Sequence, residues 1–167
     1  MNDVFQFYSL SRDVPPGRGA GERATVQYTL PANFRKILSN FFLSPIEYKG
    51  ERYASVEHAF HATKLKRFGH PAAADFAIGA ANYVGDDGVA VKRAGGRHGR
   101  FRMNAEQIDA WKRESRGVLV ELWEEKFGRN AALRAVLKET QKAQLVHFMG
   151  RGKTERWVEL EELRARL

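Results

Sequence analysis

A single helix-rich domain with a few short strands is what this chain of 167 residues predicts. Three observations carry that expectation. The composition, 43% hydrophobic and 29% charged, is that of an ordinary globular protein, and the length suffices for one packed core over residues 1–167. The stretch from 104 to 130 repeats apolar residues at i, i+3, i+4 and i+7, the spacing of one helix face. The first third instead holds short apolar runs punctuated by Gly and Pro, the pattern of brief strands and turns.

The opening run VFQFYSL alternates well enough for a strand, and residues 11–24, containing DVPPGRGAGE, read as a Pro/Gly-rich loop. NFRKILSNFFLSPIEYKGERYAS follows as an apolar segment and then a hairpin, with Ile46–Tyr48 and Arg52–Ala54 as strands and Lys49 and Gly50 in the turn. Ser55 stands where an N-cap belongs, before a helix beginning at Val56. From His70 to Met103 an Ala-rich, Gly-punctuated stretch predicts one or two short helices and then a basic loop. The clearest helix is NAEQIDAWKRESRGVLVELWEEKFGRN. Asn104 caps it with Gln107 in capping-box position, Ile108, Trp111, Ser115, Val118, Leu119, Leu122 and Trp123 share a face, and Gly128 is a natural stop. Asn130 opens a second helix, AQLVHF is a short strand or an apolar extension, and TERWVELEELRARL reads as a terminal amphipathic helix.

Composition also excludes function classes. No apolar run approaches the roughly 20 residues of a membrane span. The start MNDVFQFYSL lacks the basic head and apolar centre of a signal peptide, so a cytoplasmic protein with no membrane role is expected. With no cysteine there is neither a disulfide framework nor a thiolate zinc site. A net charge of +8 points to an anionic partner such as nucleic acid, a nucleotide or a phosphorylated metabolite. Charge of that kind governs encounter, not chemistry.

Chemistry-bearing residues concentrate in SVEHAFHATK, Ser55 to Lys64. On a helix, Glu57, His61 and Lys64 fall on one face. Near the helix N-terminus the dipole favours an ionised Glu57, which suits a base or a stabiliser of positive charge; acids also occupy first turns merely to stabilise helices. His58 and His61 stand at i, i+3 with no third ligand and no HExxH spacing, so no metal site is expected. His61 reads as a polar wall residue and His58 as a packed one that hydrogen-bonds inside. Lys64, beside Phe60 and Phe68, is placed for a lowered pKa, attack on a sugar aldehyde or pairing with phosphate, or else it snorkels off a helix edge. Two basic Gly-rich stretches, PPGRGAGE with Arg18 and RAGGRHGRFR with Arg93, Arg97, Arg100 and Arg102, could bring backbone amides and arginine forks to phosphate, or be solvated loops. Neither is a P-loop or a dinucleotide fingerprint. Trp111 belongs by spacing to a core, with stacking on a base as the sharper alternative.

Taken as ordered blocks, FRKILSNFFLSPIEYKGERYASVEHAFHATKL, RAGGRHGRFRM and IDAWKRESRGVLVELWEEKFGRNAALRAVLKET resemble the NADAR (YbiA-like) family over nearly the whole chain. That resemblance implies a compact, mainly helical α+β single domain with a few short strands. It implies an N-glycosidase that breaks a ribose C1–N bond, since members act on early riboflavin-pathway intermediates or remove ADP-ribose from guanine. It implies Glu57 as the catalytic carboxylate and Lys64 as proton donor, phosphate anchor or Schiff-base amine. Arg35, Ser39 and Asn40 become pocket residues gripping the nucleotide, with His61, Arg97, Trp111 and His147 as further lining. No metal and no organic cofactor are required, because water is the second substrate. Two departures stand out. Lys112 follows Trp111 where the family often has aspartate, and HFMGRGKTERW stands where many members carry W-G-x-G. The second favours ADP-ribosylated guanine, in nucleic acid or nucleotide, over the riboflavin-type substrate; the oligomeric state is not fixed by the sequence, a monomer being the expectation. A riboflavin-intermediate N-glycosidase and a non-catalytic module that binds ADP-ribose or nucleic acid are the alternatives.

Overall fold

Local signals position most elements of the fold. The computed structural model describes residues 2–167. In chain order the elements are β1 (Val4–Phe7), α1 (Phe34–Leu38), β2 (Ile46–Tyr48), β3 (Glu51–Tyr53), α2 (Val56–Arg67), a 3-10 turn (Pro71–Phe76), α3 (Gly88–Gly95), α4 (Ala105–Arg129), α5 (Ala131–Glu139), β4 (Gln144–Gly150), β5 (Lys153–Arg156) and α6 (Val158–Arg166). The architecture is α+β, dominated by helix. The chain folds into two compact units, one of residues up to Phe42 with Phe127–Leu167, the other Leu43–Lys126.

The discontinuous unit is built on a three-stranded sheet in the order β1-β4-β5. β1 pairs in parallel with β4, from Val4 opposite Gln144 to Phe7 opposite His147. Phe5 and Phe7, one period of two apart, point inward and are fully buried. Phe5 meets the edges of Tyr28 and Phe34 at 4.8 and 5.1 Å, and Phe7 meets Trp157 at 5.1 Å. Each such ring contributes about 1.5–3 kcal/mol by burial. AQLVHF is therefore strand, and it runs on to Gly150. The residues after it correct the expectation of one long terminal helix. Lys153–Arg156 turn back antiparallel on β4 through Arg151 and Gly152, both at positive φ (51° and 73°), the geometry of a two-residue hairpin. The helix begins only at Val158. Gly128 also departs from expectation, because α4 passes through it to Arg129. The break comes from Asn130, whose side chain accepts from Leu133 N at 3.1 Å and starts α5.

The continuous unit opens with the β2–β3 hairpin. Lys49 and Gly50 form its turn at φ 49° and 83°, so Tyr48 pairs with Glu51 and the second strand begins one residue earlier than expected. Ser55, fully extended, then caps α2 by accepting from His58 N at 3.4 Å. α2 packs against the 3-10 turn and α3. Asp87 caps α3 through Val89 N at 3.0 Å. α4 starts at a reciprocal capping box, Asn104 Oδ1 accepting from Gln107 N at 2.9 Å and Gln107 Oε1 from Asn104 N at 3.0 Å. No helix among the described residues is long and apolar enough to cross a membrane.

Candidate active site

The hairpin and the Ser55 cap fix where α2 begins, and its 3.6-residue period then fixes what shares a face. His58 turns inward: Nδ1 lies 2.8 Å from Ser55 Oγ and Nε2 2.8 Å from Gly85 O, and the ring stacks on Tyr83. Burial pushes its pKa down, and its hydrogen bond to Gly85 works against that shift. This is the packed, internally bonded histidine that the sequence predicts.

The neighbouring face carries Glu57, His61 and Lys64. Glu57 Oε1 accepts from His61 Nε2 at 2.8 Å, with the two side chains only 12% and 6% exposed. Glu57 Oε2 accepts no hydrogen bond among the described residues. The His61 ring lies against Phe60 and Phe76, and its Nδ1 is buried with no hydrogen-bond partner. Behind it stands Gly95, where a Cβ would overlap the imidazole. The carbonyl of the same glycine accepts from Lys64 Nζ. Lys64 is 5% exposed, so it does not snorkel. Burial lowers its pKa, and the negative charge of Glu57 opposes that shift.

Of the remaining expected site residues in this unit, Trp111 is 7% exposed and packs on Phe60 at 5.2 Å. Its other neighbours include Tyr48, Tyr53, Lys66 and Arg67, around a cleft of about 290 Å³ on the other flank of α2. Arg97 is exposed in the loop after α3. The other four lie in the discontinuous unit. Arg35, 2% exposed, is bound to Glu22 at 2.5 Å. Ser39 is buried at the end of α1, its Oγ accepting from Phe41 N at 3.2 Å, and Asn40 follows it half-buried. His147, in β4, stacks on Trp157 with ring centres 4.4 Å apart. The structure thus brings Glu57, His61 and Lys64 together and sets Arg35, Ser39 and Asn40 along α1 and its end.

Three residues at these places escaped sequence reasoning. Gly95 supports both His61 and Lys64, and its only signal was the GG pair ending a short helix. Glu22 holds Arg35, thirteen residues away in a loop of uninformative spacing. Lys126 is fully buried, and burial draws its pKa down to about 7; Leu122 and Trp123, one turn before it, were the available hint. Among the described residues no group of three or more His, Cys, Asp or Glu is arranged to hold a metal ion. What the α2 cluster offers is a shielded carboxylate with an uncommitted oxygen, an imidazole that orients it, and an amine of lowered basicity.

Fold and cluster together define a small α+β domain that gathers an acid, an imidazole and an amine on one buried helix face. The chain belongs to the NADAR family: the family model for the NADAR domain matches residues 27–153. Its fold is similar to that of the E. coli protein YbiA, solved by NMR, with a TM-score of 0.62 at 22% identity over 99% of this chain and 86% of that one. No curated protein matches the chain in sequence. Membership of the family supports an N-glycosidase-like role.

Proposed function

We propose that the protein hydrolyses a ribose C1–N bond, removing ADP-ribose from guanine in nucleic acid or nucleotide, with Glu57 beside the anomeric carbon. The observation that carries this is the Glu57 carboxylate, 12% exposed and held at 2.8 Å by His61 on the helix face that also bears Lys64. Cleavage builds positive charge on C1 and the ring oxygen, and a carboxylate in a shielded site stabilises that charge far better than one in water. The C1–N electron pair leaves with the base nitrogen, which takes up a proton. Water adds its oxygen to C1 and gives up a proton in turn. Lys64 supplies the proton to the leaving nitrogen, since an amine of lowered pKa parts with its proton more readily. His61 is a positioning residue, fixing the rotamer of Glu57 through Nε2.

The preference for an ADP-ribosyl group is supported by HFMGRGKTERW, which stands where many family members carry W-G-x-G. The test is to incubate the protein with ADP-ribosylated guanosine and ADP-ribosylated DNA and follow free ADP-ribose by mass. A parallel reaction offers the aminopyrimidine riboflavin intermediate and measures ribose 5-phosphate. Release in the first arm that is lost in Glu57→Gln supports the proposal. Release only in the second arm moves the protein to the riboflavin-type activity, and ADP-ribose binding with no release in either makes it a binder.

A further inference from the structure

The glycine-rich loop of the discontinuous unit has found its anion inside the protein. Gly17 N and Gly19 N, the amides that the sequence offers to phosphate, donate to Glu22 Oε2 at 3.1 and 3.0 Å. Arg35 donates to the same carboxylate through Nε at 2.6 Å and Nη2 at 2.5 Å. Its three remaining protons go to the carbonyls of Val14 at 2.6 Å, Pro15 at 3.0 Å and Arg12 at 3.5 Å. A Cβ on Gly19 would stand 2.6 Å from Glu22 Cδ, so the loop must carry glycine there to close over the pair. The result is a neutral, saturated platform.

Above that platform lies a cavity of about 170 Å³, whose lining includes Gln6, Tyr8, Arg12, Arg18 and Gly19. The side chains of Gln6, Tyr8, Arg12 and Arg18 have no hydrogen-bond partner among the described residues. The nearby acids are taken, Glu22 by Arg35 and Asp13 by Lys36 at 2.9 Å. The residues lining this space thus include two arginines with uncommitted side chains, a tyrosine and a glutamine, and no acid. We propose that this cavity binds a phosphate or diphosphate group, gripped by Arg12 and Arg18. Its volume is below the roughly 300–1,000 Å³ of pockets that enclose whole small molecules, so it takes a phosphoryl end and leaves the rest of the ligand outside. The site stands independently of the Glu57 chemistry.

Calorimetry of the full chain with pyrophosphate at fixed ionic strength, with ³¹P line width as a second readout, tests it. Wild type binds, and the Arg12→Ala/Arg18→Ala double variant weakens binding at least tenfold. A charge-matched control, Arg151→Ala/Lys153→Ala on the exposed β4–β5 turn, leaves it unchanged. Circular dichroism confirms that the variants fold. Absence of binding to wild type, or equal loss in both double variants, overturns the proposal. The source of the phosphate is read by competition: displacement of pyrophosphate by ADP-ribose assigns a nucleotide diphosphate, and displacement by a single-stranded oligonucleotide alone assigns a nucleic-acid backbone.

Discussion

Glu22 and Glu57 are both shielded carboxylates, yet their surroundings differ in one decisive respect. Glu22 is fully enclosed and accepts from two backbone amides and two guanidinium nitrogens. Glu57 accepts from His61 alone and keeps one oxygen free of hydrogen bonds among the described residues. A saturated acid holds structure, because every lone pair is already committed and any change leaves a buried cation behind. An acid with spare capacity is less useful for stability and more useful to a substrate. Each is also backed by a glycine, Gly19 behind the first pair and Gly95 behind His61.

The same conservative substitution at both acids separates the two roles. Glu22→Gln leaves the buried Arg35 charge uncompensated and is expected to cost about 3–5 kcal/mol of stability, read from urea midpoints. Glu57→Gln is expected to lower release of ADP-ribose at least about 100-fold, worth roughly 2.7 kcal/mol in the barrier. Its unfolding midpoint should hardly move, since the amide keeps an oxygen of the same size and position to accept from His61 Nε2. If the two variants behaved alike, the contrast between saturated and spare carboxylates would be wrong. Gly95→Ala drives a methyl into the imidazole and should cost about 1–3 kcal/mol together with much of the turnover.

Lys64 adds a pH test. Its folded-state pKa lies below the ordinary 10.5, so between those two values the unfolded chain holds the proton more tightly. Stability should therefore rise with pH across that window, by at most about 1.4 kcal/mol per pH unit, and Lys64→Met should flatten the rise. Ser55→Ala, which removes the cap of α2 and the partner of His58 Nδ1, should cost about 1 kcal/mol. Thermal melts read that smallest effect.

What was legible in the sequence was local. The Lys49–Gly50 turn, the Ser55 cap and the α2 face follow from neighbouring residues, and so did the association of Glu57, His61 and Lys64. The errors arose where a distant partner overrode a local signal. TERW has the charge pattern of a helix start, but pairing with β4 across a two-residue turn makes Lys153–Arg156 a strand. Gly128 has the identity of a stop, yet the cap at Asn130 decides the boundary and a helix interior tolerates one glycine at about 1 kcal/mol. In PPGRGAGE the glycines do face an anion, but a side chain three residues beyond Gly19 supplies it, held by an arginine from α1. No spacing rule links Gly95 to His61, because their contact depends on how α3 packs on α2.

The pairing of β1 with β4 has a consequence for synthesis on the ribosome. Residues 43–126 emerge as one contiguous stretch and can condense as soon as they clear the exit tunnel. Val4–Phe7, made before that stretch, must wait for its β4 partner until Gln144–His147 arrives. A nascent chain paused before that point holds a finished half and an unfinished one, and the unpaired β1 is the segment that chaperones would need to shelter.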